Sequence, residues 1–482
     1  MARRWFLSSR ISSAIEVTDN MRNQGVRFQF TSHNEDVRVL LVSTYEMGRQ
    51  PFGLASPAAW LRAEGHEVTQ ADVSCTPMPK DAVEAAGLIA FFLPMHTATK
   101  LFLRLVDRVR AVNPRAHLCA YGLYAPLNER LLRGAGVGTV LGGEFESGLR
   151  DLARRLSSGD PAPAAPPVTI SIERQQFLVP DRKGLPPLGA YAQLVVGNGT
   201  RRVGYTEASR GCKHLCRHCP VVPVYNGRFR IVQADIVLED IRRQVAAGAA
   251  HITFGDPDFF NGPGHAVPIV EALHREWPWL SYDVTIKVEH LLKHRDLLPV
   301  LKETNCAFVT SAIESLDDEV LVKLAKGHTR AGFLEALVLM RAVDLPLSPT
   351  FIPFHPWTTL ESYREFLRTL AENGLASQIT PIQLAIRLLI PEGSLLMELP
   401  EVRALVGLFD ARALSYPWRN PDPGLDRLCA TIQATIKRGE KHRATRAEIF
   451  RQIWDLAGAG EFPDVPMADR ATIPYLTEPW YC

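Results

Sequence analysis

The chain has no apolar run of the roughly 18 residues that a membrane-spanning helix needs. Its longest such stretch, Gly87 to Pro94, reads as a buried strand. It has no excess of either charge. Lysine and arginine number 54 against 52 aspartate and glutamate, a formal net charge of +2, so nothing draws it generally to nucleic acid or anionic lipid. Met1 to Asn34 is mildly basic and has no apolar core, so this segment is not expected to be a secretory signal. Cysteine is scarce: eight in 482 residues cannot make a disulfide scaffold. These absences predict a cytoplasmic protein with neither membrane nor nucleic acid as partner. What remains, 46% hydrophobic and 22% charged, is ordinary for a globular protein and long enough for two or three domains.

After a weakly patterned segment, 1–35, expected to be poorly ordered, short apolar strands alternate with helical patterns. Strands are predicted at Val37–Val42, His66–Val73, Leu88–Phe92, His117–Tyr121 and Gly138–Leu141, with helices over Ala55–Ala63 and Leu101–Val112. Continuously apolar strands with helical crossovers imply a parallel sheet covered on both faces, a doubly wound α/β domain over 36–157. Ser157 to Pro167 is a stiff proline-rich linker, and a bridging segment carries the chain to residue 200. A second series then places strands at Val203–Thr206, His251–Phe254, Tyr282–Val288, Ala307–Ala312, Ser348–Phe354 and Ile382–Leu389. Val237, Leu238, Ile241 and Val245 form one helical apolar stripe between them; Phe333, Leu334, Leu337 and Val338 form another. Six such units predict a partial (β/α)6 barrel over 201–395, with an irregular helical region over 396–482.

Cys212, Cys216 and Cys219 follow the first strand of that second series, with His214 and His218 among them. Thiolates spaced four and then three positions apart in one loop can wrap one side of a metal cluster. With only three of them local, a cubane would keep one iron free of protein ligands. Two other readings stay open: a closed zinc site with His214 or His218 as fourth ligand, and a disulfide beside a free thiol.

The Cys-x3-Cys-x2-Cys spacing after a first strand resembles the radical S-adenosylmethionine (SAM) superfamily, over about Arg202 to Gly393. The resemblance implies a [4Fe–4S] cluster on the three cysteines, reductive cleavage of SAM to a 5′-deoxyadenosyl radical, and a flavodoxin- or ferredoxin-like electron donor. Gly255-Asp256-Pro257 stands where the family has a Gly-Gly-Glu-Pro-like turn for the SAM amino group, with Asp256 close to the family's glutamate. Ser311-Ala312-Ile313-Glu314-Ser315 resembles the ribose-binding site. Pro353 and Ile390-Pro391-Glu392-Gly393 resemble adenine-side elements, and Lys326-Gly327-His328-Thr329 is common in relatives. Gly255, Asp256, Pro257, Ser311, Glu314 and Pro353 are therefore the implied SAM contacts. Arg210, Lys213 and Arg217 would put positive charge beside the cluster.

An α/β domain ahead of such a barrel resembles the cobalamin-binding branch, and Gly142-Gly143-Glu144-Phe145-Glu146 is similar to a turn found there. The cobalt-ligating Asp-x-His-x-x-Gly pattern is absent, its places being taken by Ser43, Tyr45 and Gly48; cobalamin is left as an open cofactor. The end of the chain, Thr477 to Cys482, resembles a group whose tail continues Cys-Sec-Ala-Glu-Pro or Cys-Cys-Ala-Glu-Pro. The resemblance implies a redox tail at Cys482 cut at a selenocysteine codon. The substrate would be a peptide or small molecule, changed by methylation or by sulfur or selenium insertion. A non-catalytic zinc protein and a tRNA methylthiotransferase-like enzyme are the alternatives.

Overall fold

Val39–Ser43 (β1), Leu88–Phe92 (β3) and Thr139–Gly143 (β5) have every residue buried, which is why these segments show no polar alternation. They are described here from a computed structural model covering residues 37–159, 168–464, 467–468 and 471–477. The expected N-terminal extension, most of the proline-rich linker and the tail at Cys482 lie outside the described residues.

With Val68–Asp72 (β2), His117–Tyr121 (β4) and Thr169–Ser171 (β6), these strands form a six-stranded sheet in the order β2-β1-β3-β4-β5-β6. All its pairings are parallel. The pleat sends Leu40, Val42, Ile89 and Phe91 to one core with Phe102, Val106 and Val109 of helix His96–Val112. It sends Val39, Leu41, Leu88 and Ala90 to the other, against Leu54 and Leu61 of helix Phe52–Ala63 and Leu149 and Leu152 of helix Glu146–Ser157. Each fully buried leucine, isoleucine, valine or phenylalanine among these contributes about 1.5–3 kcal/mol. Strand β6 was not expected: the bridging segment docks against β5, and Glu144 N donates to the Ser171 carbonyl at 2.7 Å. The order reverses between β1 and β3, so a crevice lies outside their carboxyl ends.

The second sheet holds Gly199–Thr206 (β8), His251–Phe254 (β11), Ser281–Thr285 (β12), Cys306–Glu314 (β13) and Leu347–Phe351 (β14), each parallel to its neighbour. Gln193–Val196 (β7) and Tyr475–Leu476 (β15) extend its β8 edge antiparallel. The strand expected over 282–288 stops at Thr285, and Val288 already opens helix Val288–Lys293. The sixth barrel strand, expected over 382–389, does not form. Pro381–Leu384 is a 3₁₀ turn, and only Arg387 bridges Phe354. Pro381 has no N–H to give a ladder, and the Gln383 side chain takes the place of a backbone partner by accepting from Phe351 N at 3.1 Å. The barrel is thus a curled, open half-barrel. Helices Pro423–Lys441 and Arg446–Ala457 cover its core through Leu425, Ile432, Phe450 and Trp454. Among the described residues no helix is long and apolar enough to cross a membrane.

Arg182, in the bridging segment, ties the two sheets together. Its guanidinium forks onto buried Asp240 at 2.9 and 2.8 Å, reaches the Tyr205 carbonyl at the end of β8 at 2.6 Å, and donates to Gln50 Oε1 at 3.0 Å. A bidentate, buried arginine–carboxylate pair is the strong kind of ion pair.

Candidate metal centre

Past β8 the chain turns into Ser209–Gly211 (β9), paired antiparallel with Phe229–Ile231 (β10), and the loop between them carries Cys212, Cys216 and Cys219. Gly211 has φ +76°, and a Cβ there would lie 2.4 Å from the Tyr225 ring, so only glycine makes this approach to Cys212. Cys216 is buried, and Cys212 and Cys219 are half-buried. Asn261, on the loop after β11, accepts from Lys213 N at 3.1 Å and lies 3.8 Å from Cys212 Sγ. Burial raises the Cys212 thiol and pushes Cys219 up to about 12, so ligation here displaces protons.

One tetrahedral zinc, bound at about 2.3 Å from each sulfur, would gather its thiolates to about 3.8 Å of one another. Among the described residues, the one histidine, cysteine and carboxylate trio whose donor atoms all lie within 4.8 Å is Cys212, His214 and Asp258. The three cysteines do not close together to that extent. His218 is engaged elsewhere, its Nε2 3.0 Å from Glu314 Oε1. The closed three-cysteine-plus-histidine zinc arrangement is therefore not formed among the described residues. Three thiols offered by one loop can instead hold a multi-iron cluster.

Two buried lysines flank the thiols. Lys287, just after β12, lies 3.8 Å from Cys216 Sγ and 3.7 Å from Glu289 Oε2. Lys326 lies 3.3 Å from Glu314 Oε1. Burial works to raise the Glu314 carboxyl, yet Lys326 and His218 hold it down at about 2. Glu314 sits at φ +69°, where β13 slips register against β14, a strained conformation for a residue with a side chain. Asp258 is buried with Oδ2 2.7 Å from His290 Nδ1 and 3.6 Å from His214 Nε2. Its burial works to raise the carboxyl, but the two histidines keep it below the usual range.

The residues singled out from the sequence divide. Glu314 joins the cysteine loop through His218. Asp256 joins the start of that loop, with one oxygen accepting from Ala208 N at 2.9 Å and the other from Ser209 Oγ at 2.6 Å; burial pushes its carboxyl up to about 7. Gly255 packs on Tyr205, where a Cβ would fall 1.9 Å from the phenol oxygen. The hydroxyl of Ser311 is buried without a hydrogen-bond partner. The Pro353 carbonyl accepts from Thr358 within its own loop, and Thr329 caps the following helix by accepting from Gly332 N. Lys287, Asp258, Asn261 and His290 were missed. Their one sequence signal is position, in the segments that follow the carboxyl ends of barrel strands, where barrel chemistry sits.

The expected positive field of Arg210 is not there. Its guanidinium is buried on the side facing the first sheet, 2.7 Å from Glu146, 2.6 Å from Glu207 and 3.4 Å from Glu144. It is also ringed by Phe52, Phe145 and Phe177. Burial and its carboxylate neighbours push Glu144 up to about 7, although Arg210 opposes them; Tyr225 Oη donates to Glu144 at 3.0 Å. Arg217 is turned onto the Val322 and Lys323 carbonyls, and exposed Lys213 lies over the Phe229 ring. Arg210 thus clamps the turn after β5 to the cysteine loop. Leu123, after β4, and Ile172, after β6, share an apolar cluster with Cys212 and Cys219. The carboxyl ends of both sheets therefore meet over the thiols.

Residues 206–370 match the radical SAM superfamily. Among curated proteins, the hopanoid C-3 methylase of Methylococcus capsulatus is 26% identical over 151 residues, 31% of this chain and 29% of that one. A tRNA-2-methylthio-N(6)-dimethylallyladenosine synthase of Thermus thermophilus is 26% identical over 174 residues, 34% of this chain and 37% of that one. The chain thus spans about a third of the length of these relatives. Among solved structures, the cobalamin-dependent SAM radical enzyme OxsB with aqua-cobalamin and SAM bound superposes with a TM-score of 0.68 at 15% identity, over 88% of this chain and 71% of that one. The radical SAM methyltransferase TsrM of Kitasatospora setae, with tryptophan substrate and a SAM analogue, gives 0.59 at 18% identity, over 70% and 71%. These likenesses establish the shared fold, a parallel α/β domain joined to a curled half-barrel. A radical SAM domain implies a [4Fe–4S] cluster and SAM as cofactors, and an enzyme of the transferase or oxidoreductase kind.

Proposed function

We propose that this chain, with a radical SAM superfamily domain over residues 206–370, is an enzyme that holds a [4Fe–4S] cluster on Cys212, Cys216 and Cys219. It binds SAM at the iron left without a protein ligand and modifies a peptide or small-molecule substrate by methyl, sulfur or selenium transfer. The observation that carries the reading is three thiols in one loop at the carboxyl end of a parallel half-barrel, flanked by two buried lysines. When bound, the cluster and SAM supply a one-electron cleavage of the sulfonium C–S bond that yields a 5′-deoxyadenosyl radical.

The chain's own residues would divide the remaining tasks. Glu314, ionised and oriented by Lys326 and His218, accepts hydrogen bonds from the SAM ribose hydroxyls. The backbone of Gly255 and Pro257 receives the amino group, while Asp256 holds the cysteine loop at Ala208 and Ser209. Ser311 and Pro353 face the nucleoside. The first sheet closes over this centre, and Leu123 and Ile172 keep water from the thiols.

Cobalamin in the crevice at β1 and β3 is part of the proposal. It is supported by the likeness in fold to cobalamin-dependent enzymes and by the buried, unpaired Ser43 hydroxyl at the end of β1. Ser43, Tyr45 and Gly48 offer cobalt no histidine from that loop. A flavodoxin- or ferredoxin-like protein in the cytoplasm would deliver the electron. A Cys–Sec or Cys–Cys tail at Cys482 rests on sequence alone; Ala-Glu-Pro codons and a selenocysteine insertion hairpin in the nucleotides beyond would support it, and their absence would remove it.

Anaerobic reconstitution tests the core claim. Wild-type protein is expected to take up iron and sulfide for one cubane and to cleave SAM when reduced, and the Cys212→Ala, Cys216→Ala, Cys219→Ala triple variant to hold no iron. Colourless wild-type protein carrying zinc, or iron retained by the triple variant, would overturn it. Added cobalamin is expected to bind near one per chain; none bound would remove that part alone.

A further inference from the structure

The two lysines beside the thiols are not equivalent. Lys326 is paired at 3.3 Å with a buried carboxylate, Glu314, which holds a full negative charge. Glu314 therefore offsets part of its field at the thiols. Lys287 is buried too, and among the described residues the carboxylate paired with its ammonium is Glu289, 3.7 Å away on a side chain that is 42% exposed and so offsets that charge only in part. On its other side Lys287 reaches Cys216 Sγ at 3.8 Å, within range of an N–H···S hydrogen bond. Three features bring it there. Lys287 N, just after β12, is 3.5 Å from Oδ1 of Asp258, which lies in the loop after β11. Gly327, at φ +77°, leaves room for Glu289 beside Lys287, since a Cβ there would fall 2.5 Å from Glu289 Oε2. Ile286 N donates to Thr310 O at 2.9 Å, so the backbone beside Lys287 is held by β13.

We infer that Lys287 is a positioning residue that sets the reduction potential of the cluster through Cys216. The inference rests on the reading of the cysteines as cluster ligands. A cubane with three thiolates becomes more negative by one unit when it takes up one electron, and no proton or bond change accompanies that step. An ammonium at a ligating sulfur stabilises the reduced form more than the oxidised one, because attraction grows with the charge it faces, and burial preserves the effect against screening. Glu289 opposes it from the outer side. The pair thus forms a dial with two settings of opposite sign.

Potentiometric titration of the reconstituted protein without SAM, followed by the electron paramagnetic resonance signal of the reduced cluster, tests this. Lys287→Met is expected to keep its iron and to shift the reduced-to-oxidised ratio at a fixed potential at least tenfold toward oxidised, about 59 mV for a one-electron couple. Lys287→Arg should restore most of that shift. Glu289→Gln should move the ratio the other way, and it decides the matter if Lys287→Met fails to load a cluster. An unchanged potential in Lys287→Met with full iron, or in Glu289→Gln, overturns the inference and leaves the proposed function standing. Wild-type protein without iron overturns the function instead.

Discussion

At the scale of single residues, burial decides which carboxylates of the site carry charge. Asp256 is buried with two hydrogen-bond donors, and burial pushes its carboxyl up to about 7. Between 3.8, its ordinary value, and about 7 the folded protein keeps a proton that the unfolded chain has lost, so stability falls as pH rises through that window and levels off above it. Asp256→Asn can keep both contacts, with its amide donating to Ser209, and should flatten that part of the curve in chemical denaturation between pH 4 and 7. Glu314 carries the opposite sign. Its stabilising share is complete above 4.5 and is lost as pH falls toward about 2. Glu314→Gln leaves buried Lys326 without its anion and should cost about 3–5 kcal/mol at neutral pH, with a shallower loss of stability in acid. Thermal melts at pH 7 and pH 3 check both halves. The three cysteines were legible as a metal site because their spacing is local. Lys287 was not, since nothing in its own stretch of chain signals a partner 71 positions away.

At the scale of elements, apolar runs marked the strands well, and their ends poorly. His117–Tyr121 and Leu88–Phe92 fall where the pattern puts them, because both faces of the sheet are covered and the runs are unbroken. The run at 382–389 is mostly apolar, broken by Gln383 and Arg387, and makes no strand. Pro381 and the Gln383 side chain use up the positions a ladder would need, and a pattern of hydrophobicity does not register a missing N–H. Strand β6 failed in the other direction, being a short polar segment paired only by its backbone. Gly143 makes that pairing work. At φ +70°, its Cβ would lie 2.0 Å from the Ser171 carbonyl oxygen. Gly143→Ala should cost about 1–3 kcal/mol in backbone strain alone and detach β6, seen as faster amide exchange at Glu144 and residues 169–171. Unchanged protection there would show that β6 is not held by this contact.

At the scale of the whole molecule, two arginines link the two sheets, Arg182 partly buried and Arg210 buried. Arg182 holds Asp240, Gln50 and Tyr205, and Arg210 holds Glu144, Glu146 and Glu207. Removing one partner of a buried pair strands the other, at about 3–5 kcal/mol. Arg182→Met with Arg210→Met should therefore uncouple the sheets, and calorimetry should show two unfolding transitions where the wild type shows one. A single transition, merely lowered, would mean that apolar contact carries the coupling. By itself, the sequence determined the order of the two α/β units and the loop that offers three thiols, since both are written in local periodicity and spacing. Only the tertiary structure decided which charges reach that loop. It turned Arg210 away into a cage of carboxylates and brought Lys287 in from another strand, because a charge acts through distance and burial, and neither is a property of position along the chain.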